Sequence, residues 1–390
     1  MSWPMVKLGS LVIDERSGAS LSRDEFTDTG VAVVPKKAIS ESVDLLEETL
    51  VYTSREKFMA SKSAHVSNRY LITTLRNLNP DGSTLGLICR NNVSGEFMLA
   101  QGMHAFLFDE DVDLNYICYA SRQLQFRTAV QRVKVGSTQV HMRARELKDI
   151  EIPLPSLPEQ KRIATILDKA DAIRRKRQQA IQLADDFLRA VFLDMFGDPA
   201  TNPKGWPVYK MSEVIDFKGG SQPPKETFEY EEREGYIRLV QIRDFRTDRF
   251  KTYIPENLAR RRFEVDDVMI GRYGPPVFQI LRGLSGSYNV ALMKAVPKDG
   301  VTKDFVYRLL QLPTYQDAVI SNSERTAGQT GVNLDLLNSL DVPLPPLEMQ
   351  VSMSKSIRKT EALLSKLKLD LEDAEQLFSS LSQKAFSGKL

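Results

Sequence analysis

The sequence predicts an α+β protein organised as an internal repeat, with two mixed α/β domains separated by two long helices. Three observations carry this. A proline phrase recurs, IPLPSLPEQ at 152–160 and VPLPPLEMQ at 342–350, at an offset of 190 residues. A Trp-Pro start recurs, Trp3-Pro4-Met5-Val6-Lys7-Leu8 and Trp206-Pro207-Val208-Tyr209-Lys210-Met211, at an offset of 203. Each proline phrase is followed by a helical pattern about twice the usual 8–20 residues. Matched starts, matched punctuation and matched helices together define a repeat rather than a chance phrase.

The elements follow in chain order. Residues 1–152 form a first globular domain and 206–342 a second, with a linker at 198–205. The first variable region is 13 residues longer than the second, the difference between the two offsets. Segments such as Val268-Met269-Ile270 and Ala291-Leu292-Met293 read as short strands between Gly/Pro turns. The first long helix lies in 153–197. Its apolar residues Ile163, Ile166, Ala170, Ile173, Ala180, Ala184, Phe187 and Val191 alternate three and four apart, with Arg177 interrupting. The second lies in 343–390, with Ile357, Leu364, Leu367, Leu371, Ala374, Phe378, Leu381 and Ala385. The 190 offset pairs Leu147 with Leu337, Ala172 with Ala362, Ile173 with Leu363, Phe187 with Leu377 and Phe196 with Phe386. Pro158 suits a first helical turn, and Gly197-Asp198-Pro199 and Gly388 are stop signals. A helix of this kind is roughly 57 Å long at ~1.5 Å per residue. Neither apolar seam is stable in water, so the two helices are expected to pack on each other.

Length and composition bound the class. The chain has 390 residues, enough for two or three domains, and 42% are hydrophobic, enough for a core in each. A net charge of +2 says little about partners, so local clustering matters more. Two cysteines, Cys89 and Cys118, make a disulfide framework unexpected and point to a reducing, cytoplasmic setting. There is no apolar run long enough for a membrane span, and MSWPMVKLGS lacks the apolar stretch of a signal peptide.

No catalytic pattern emerges. The Pro-Pro pairs Gln222-Pro223-Pro224-Lys225, Gly274-Pro275-Pro276-Val277 and Leu344-Pro345-Pro346-Leu347 do not fit the [DNS]-P-P-[YFW] motif of adenine methyltransferases. There is no phosphate-binding G-x-x-x-x-G-K-[ST] loop and no G-x-G-x-x-G. His65, His104, His141 and the cysteines lack metal-ligand spacing, so no metal site is expected. Basic residues do cluster. From Ser121 to Arg145 there are six basic residues and no acidic one, interleaved with Gln123, Gln125, Gln131 and Gln139. From Arg233 to Arg262, nine basic residues accompany four acidic ones. Such stretches suit phosphate neutralisation and base-edge reading. The run Arg174-Arg175-Lys176-Arg177 fits a solvated helix face and a phosphate or partner contact equally well.

The second half carries phrases of a known family. Tyr236-Ile237-Arg238 with Gln241-Ile242-Arg243-Asp244 resembles the "YIR…DI" phrase of type I restriction–modification specificity subunits. Asp267-Val268-Met269-Ile270-Gly271-Arg272-Tyr273-Gly274 resembles their "GD-(V/I)-L-I-(S/G)-R-x-G" phrase, with Asp266 where Gly is usual. Gly328-Gln329-Thr330, Asn333 and Val342-Pro343-Leu344-Pro345 resemble the domain exit. In the first half the start, exit and helix match, while the stretch from Val31 to Gly102 has neither phrase. The resemblance implies two target-recognition domains, each reading half of a split, asymmetric DNA site. It implies an antiparallel coiled coil, with a pseudo-twofold relation between the halves, that sets half-site spacing. It also implies two modification (methyltransferase) subunits and restriction (endonuclease/translocase) subunits as partners in phage defence. No cofactor is expected in this chain: S-adenosylmethionine would belong to the modification subunit, ATP and Mg²⁺ to the restriction subunit.

The candidate DNA contacts in the first domain are Lys62, His65, Asn68, Arg69, Arg122, Gln125, Arg127, Arg132, Lys134 and Arg143. Those in the second are Arg238, Gln241, Arg243, Arg246, Arg249, Arg261, Arg272, Tyr273, Arg325 and Gln329. Two rival readings stay open. A nuclease would need a carboxylate–lysine cluster that the sequence does not display. A coiled-coil adaptor binding only protein would leave the Arg/Gln-rich stretches of both globular regions without a role.

Overall fold

The computed structural model describes residues 3–77, 80–274, 276–323 and 331–390. By its contacts the chain divides into one unit of residues 1–178 with 369–390 and a second unit of residues 179–368. Both divisions fall inside the long helices, which span Leu157–Phe196 and Leu347–Phe386.

In the first unit a four-stranded sheet runs in the order Val12–Ser17, Met103–Phe108, Leu71–Thr74, Ile88–Cys89. A five-stranded sheet runs Phe26–Thr27, Val51–Thr53, Val31–Val34, Phe97–Leu99, His65–Val66. The edge strand Val12–Ser17 alternates half-buried and exposed residues, as a strand with one wet face must. Leu71–Thr74 is buried at all four positions. Two helices follow, Leu114–Ala120 and Leu124–Val133, and a short pair, Met5–Lys7 with Glu151–Pro153, closes the domain.

The second unit repeats this plan. Its sheets run Ile215–Gly219, Leu292–Pro297, Val268–Gly271, Gln279–Leu281 and Tyr253–Pro255, Tyr236–Val240, Gly286–Tyr288, Arg262–Phe263. Helices Lys303–Leu310 and Pro313–Ser323 follow, and Val208–Lys210 pairs with Asp341–Pro343. The sequence shows no "YIR" or "GD" phrase in the first half. Val31–Val34 and Leu71–Thr74 nonetheless take the sheet positions of Tyr236–Val240 and Val268–Gly271.

Each unit joins the start of one long helix to the end of the other, which makes the packing antiparallel. In the first, Ile163 and Leu167 share a core with Phe378, Leu381 and Ala385. In the second, Leu188 and Phe192 share a core with Met353, Ile357 and Leu364. The second helix buries or half-buries every seam position read from its sequence. The first departs from the reading: Ile173 and Phe187 are 49% and 52% exposed. Leu188, Phe192 and Phe196 are buried instead, four residues apart, because the domain beside this half selects the stripe. A strict heptad drifts about 20° per repeat on a straight helix, enough to carry such positions off the contact face.

The repeated phrases have structural work. Gln160 is buried on the first turn of its helix, accepts from the Asp113 N–H at 2.9 Å and donates to the Pro155 carbonyl at 2.9 Å. Gln350 accepts from the Thr302 N–H at 2.9 Å and donates to the Pro345 carbonyl at 2.9 Å. Each glutamine ties a proline loop to the N-terminus of a domain helix. The two tryptophans cap the long helices: Trp3 Nε1 donates to Ala385 O and Trp206 Nε1 to Phe196 O, both at 2.9 Å. Gly197 and Gly388 follow the last helical residues at φ +82° and +69°, a conformation glycine adopts without strain. Both cysteines are buried and free. Among the described residues, no helix is long and apolar enough to cross a membrane.

Candidate nucleic-acid interface

In the second unit the interface grows from the end of strand Tyr236–Val240. Asp244 accepts from the Gln241 N–H at 2.7 Å and closes a 3-10 turn over Ile242–Phe245. The buried Asp244 serves this turn, and Arg243 is left exposed. Its guanidinium lies 5.3 Å from the centroid of the Phe250 ring, a cation–π arrangement. A second turn, Asp248–Phe250, adds Arg249 and Lys251. Arg243, Arg249, Lys251, Phe250 and Tyr230 line one open cavity of about 460 Å³, with Asp248 and Glu232 as its acids. Tyr230 and Phe250 are 73% and 55% exposed, apolar ring surface that a bound partner could cover.

Arg246 extends the same surface, donating to Gln279 Oε1 at 2.6 Å. Gln279 pairs with Gly271, so this contact reaches the strand that ends just before Arg272. Arg272 is half-buried, its guanidinium 5.2 Å from the Tyr273 ring and its Nε buried without a partner. Tyr273 is exposed and bridges Gly331. Arg238 is mostly buried and spends its charge on Asp248 at the cavity wall, at 2.9 Å. Gln241 contributes the N–H that closes the turn. Arg261 is exposed. Arg325 and Gln329, with the Gly328-Gln329-Thr330 phrase, lie outside the described residues.

The first unit sorts its candidates differently. Arg122 donates to the carbonyls of Ile88 at 2.7 Å, Cys118 at 2.8 Å and Glu41 at 3.0 Å, and also to that of Ser42. Arg127 donates to Leu85 O at 2.7 Å, Ser83 O at 2.8 Å and Gly82 O at 3.1 Å. Burial, with Arg122 nearby, pushes the Arg127 guanidinium down to about 10. Lys134 Nζ donates to the carbonyls of Pro80 and Asp81 at 3.1 and 3.2 Å. His65 stacks on Phe58 at 3.7 Å between centroids, with Nε2 against the Phe58 carbonyl. These four side chains hold loops to the sheet and helices, so they are set aside as DNA contacts. Lys62, Asn68, Gln125, Arg132 and Arg143 are exposed, and Arg69 is exposed with a loose ion pair to Glu110 at 3.7 Å.

The structure also gathers a group the sequence reading did not select. Lys36, Arg76 and His141 line a cavity of about 270 Å³ with Gln139, Asn77 and Val140. Nearby, burial holds the His104 imidazole below its ordinary value; Glu15 opposes this, while Lys148 and Arg76 add to it. Arg76 lacks a basic neighbour in sequence. The usable signal is its place, two residues past a strand end, as Tyr273 stands two past Gly271.

The arginine run on the first long helix is structural in the main. Arg174 binds Asp171 at 2.7 Å and lies 5.0 Å from the Phe378 ring centroid. Arg175 binds Asp44 at 2.7 Å and Asp171 at 3.0 Å. Arg90 binds Asp44 at 2.7 Å and Asp168 at 2.8 Å. Burial raises the Asp44 carboxyl, but the hydrogen bonds and charges of Arg90 and Arg175 outweigh it and hold the group below its ordinary value.

Comparison with known proteins bears on this arrangement. Residues 2–183 match the model of the family described as "Type I restriction modification DNA specificity domain". The chain is 22% identical over 408 residues to the type I restriction enzyme EcoKI specificity subunit of Escherichia coli (strain K12), covering 95% of this chain and 81% of that one. It is 20% identical to the type I restriction enzyme MjaVIII specificity subunit of Methanocaldococcus jannaschii, covering 85% and 83%. The crystal structure of the type I restriction–modification S subunit from M. genitalium superposes with a TM-score of 0.60 at 16% identity, covering 99% of this chain and 96% of the other, and so shares its fold.

Proposed function

We propose that the chain is a type I restriction–modification specificity subunit, like the proteins it matches, and that its two units each read one half of a split DNA site. The chain is a non-catalytic DNA specificity subunit of a restriction–modification complex. The observation that carries the bipartite reading is the duplication of fold with divergence of surface. The two units share their sheet order apart from one added edge strand, Phe26–Thr27, in the first, yet their exposed cations differ in number and placement. One fold with two surfaces suits two different half-sites, hence an asymmetric target.

On this reading residues 1–152 and 206–342 are the target-recognition domains, and the helices within 153–197 and 343–390 set the distance between half-sites. Two modification subunits dock on the chain and bring S-adenosylmethionine; restriction subunits bring ATP and Mg²⁺. Docking is supported by apolar side chains left exposed at the repeat offset: Ile173 and Leu363 are 49% and 53% exposed, Phe187 and Leu377 52% and 56%. The setting is the cytoplasm and the role phage defence. The proposed DNA-contact set is Lys62, Asn68, Arg69, Gln125, Arg132 and Arg143 with Arg243, Arg246, Arg249, Arg261, Arg272 and Tyr273. The test is to assemble the chain with its modification subunits and map every adenine modified in the host genome. An asymmetric motif of two short blocks around a fixed unspecified spacer is expected. A single contiguous motif, or binding indifferent to sequence, overturns the proposal.

A further inference from the structure

The two units build the same backbone frame at the end of a central strand, and the frame locates a side chain that sequence matching misses. In the first unit the Leu75 N–H donates to Gly102 O at 3.2 Å, and the Met142 N–H to Leu75 O at 3.1 Å. In the second the Arg272 N–H donates to Ala291 O at 2.8 Å, and the Val332 N–H to Arg272 O at 3.1 Å. The next residue in each makes an antiparallel pairing, Arg76 with His141 and Tyr273 with Gly331. Leu75 therefore stands in the place of Arg272, and Arg76 in the place of Tyr273. Leu75 is buried in the core, while Arg76 is exposed.

The surroundings of Arg76 are built for an electron-rich partner. Lys36, Gln139 and His141 line the same cavity, and none of its six lining residues is acidic. None of these four side chains makes an ion pair or a side-chain hydrogen bond among the described residues. Gly102, at φ +87°, keeps the floor open: a Cβ there would stand 3.3 Å from Arg76 Cδ and 3.5 Å from Lys36 Cδ. Arg76 and Lys36 thus lie side by side over one glycine, with unspent donors facing out.

Resting on the bipartite reading above, we infer that Arg76 reads a guanine edge in the half-site of the first unit, with Lys36 on the adjoining phosphate. A guanidinium presents two parallel donors that match guanine O6 and N7. A lysine ammonium is a point charge without that fork, which suits a phosphate oxygen.

The test uses the chain assembled with its modification subunits. Arg76→Ala should relax one base pair of one half-site, leave the other half-site unchanged, and weaken binding to the cognate duplex about 10- to 100-fold. Arg76→Lys keeps the charge but loses the fork, and should relax the same base pair. Lys36→Ala should weaken binding to all sequences alike and lower the salt slope by about one. If the wild-type complex modifies a bipartite motif and Arg76→Ala modifies that same motif with unchanged affinity, Arg76 is not a reader. If Arg76→Lys keeps full specificity, the guanine assignment fails in favour of charge alone. A wild-type complex with no bipartite motif would instead sink the reading of function on which this rests.

Discussion

At the scale of single residues, arginines that look alike in the sequence have opposite fates. Arg122 spends its donors on carbonyls of residues 41, 42, 88 and 118, whereas Arg243 stands exposed over Phe250. Arg122→Ala should therefore cost about 1–3 kcal/mol of stability, by leaving carbonyls unsatisfied, while the modified DNA motif stays the same. Arg243→Ala should leave stability within about 0.5 kcal/mol and weaken binding to cognate DNA by ~1–3 kcal/mol. Urea unfolding of each variant, beside binding and motif mapping of its assembled complex, separates the two roles. Reversal of the pattern, with Arg122 altering the motif and Arg243 only stability, would invert the assignment. The residues that answer to chemistry on the loops were partly legible. Arg243 and Arg272 stood in recognisable phrases, but nothing local to Arg122 or Arg127 tells that carbonyls some 35 to 80 residues away will claim them.

At the scale of elements, the long helices are the most legible part of the sequence, and the apolar stripe of the first shows where that legibility stops. A period of three and four fixes that a helix forms and that one stripe is apolar. It does not fix which domain covers each half, so Ile173 and Phe187 fell on the wrong side of the stripe. If the helices space the half-sites, their length should be read out in DNA. Arg177 Nη1 donates to the Asp370 carbonyl and marks a common level on the two helices. Four residues inserted after Gln178 and four after Lys368 add ~6 Å and a little over one turn. At ~3.4 Å per base pair the preferred spacer should lengthen by about two base pairs. Two-residue insertions should do worse, since they rotate the following segment by roughly half a turn and put the seam out of register. Genome-wide modification mapping in cells carrying each variant gives the spacer directly. A four-residue variant that assembles and still modifies at the original spacing would leave the helices as docking surfaces only.

At the scale of the whole molecule, the proposed reading makes the two globular regions exchangeable parts. Replacing residues 206–342 by the matching region of another family member should change one half-site and preserve the other. Loss of both half-sites, with the complex still assembled, would count against modular reading. The plan was legible in the residues alone: a repeat, two long helices, punctuation at 152–160 and 342–350, and the family resemblance, because repeats and helical periods are written in neighbouring residues. Which cations face solvent, which hold loops, and that Arg76 stands where Tyr273 stands are set by the folded chain. Those outcomes depend on strands and carbonyls far apart in the chain. A hydrogen-bond frame such as Leu75 to Gly102 and Met142 to Leu75 exists only once distant segments have met. A domain whose surface residues have diverged keeps that frame in its backbone, where one-dimensional matching has nothing to compare.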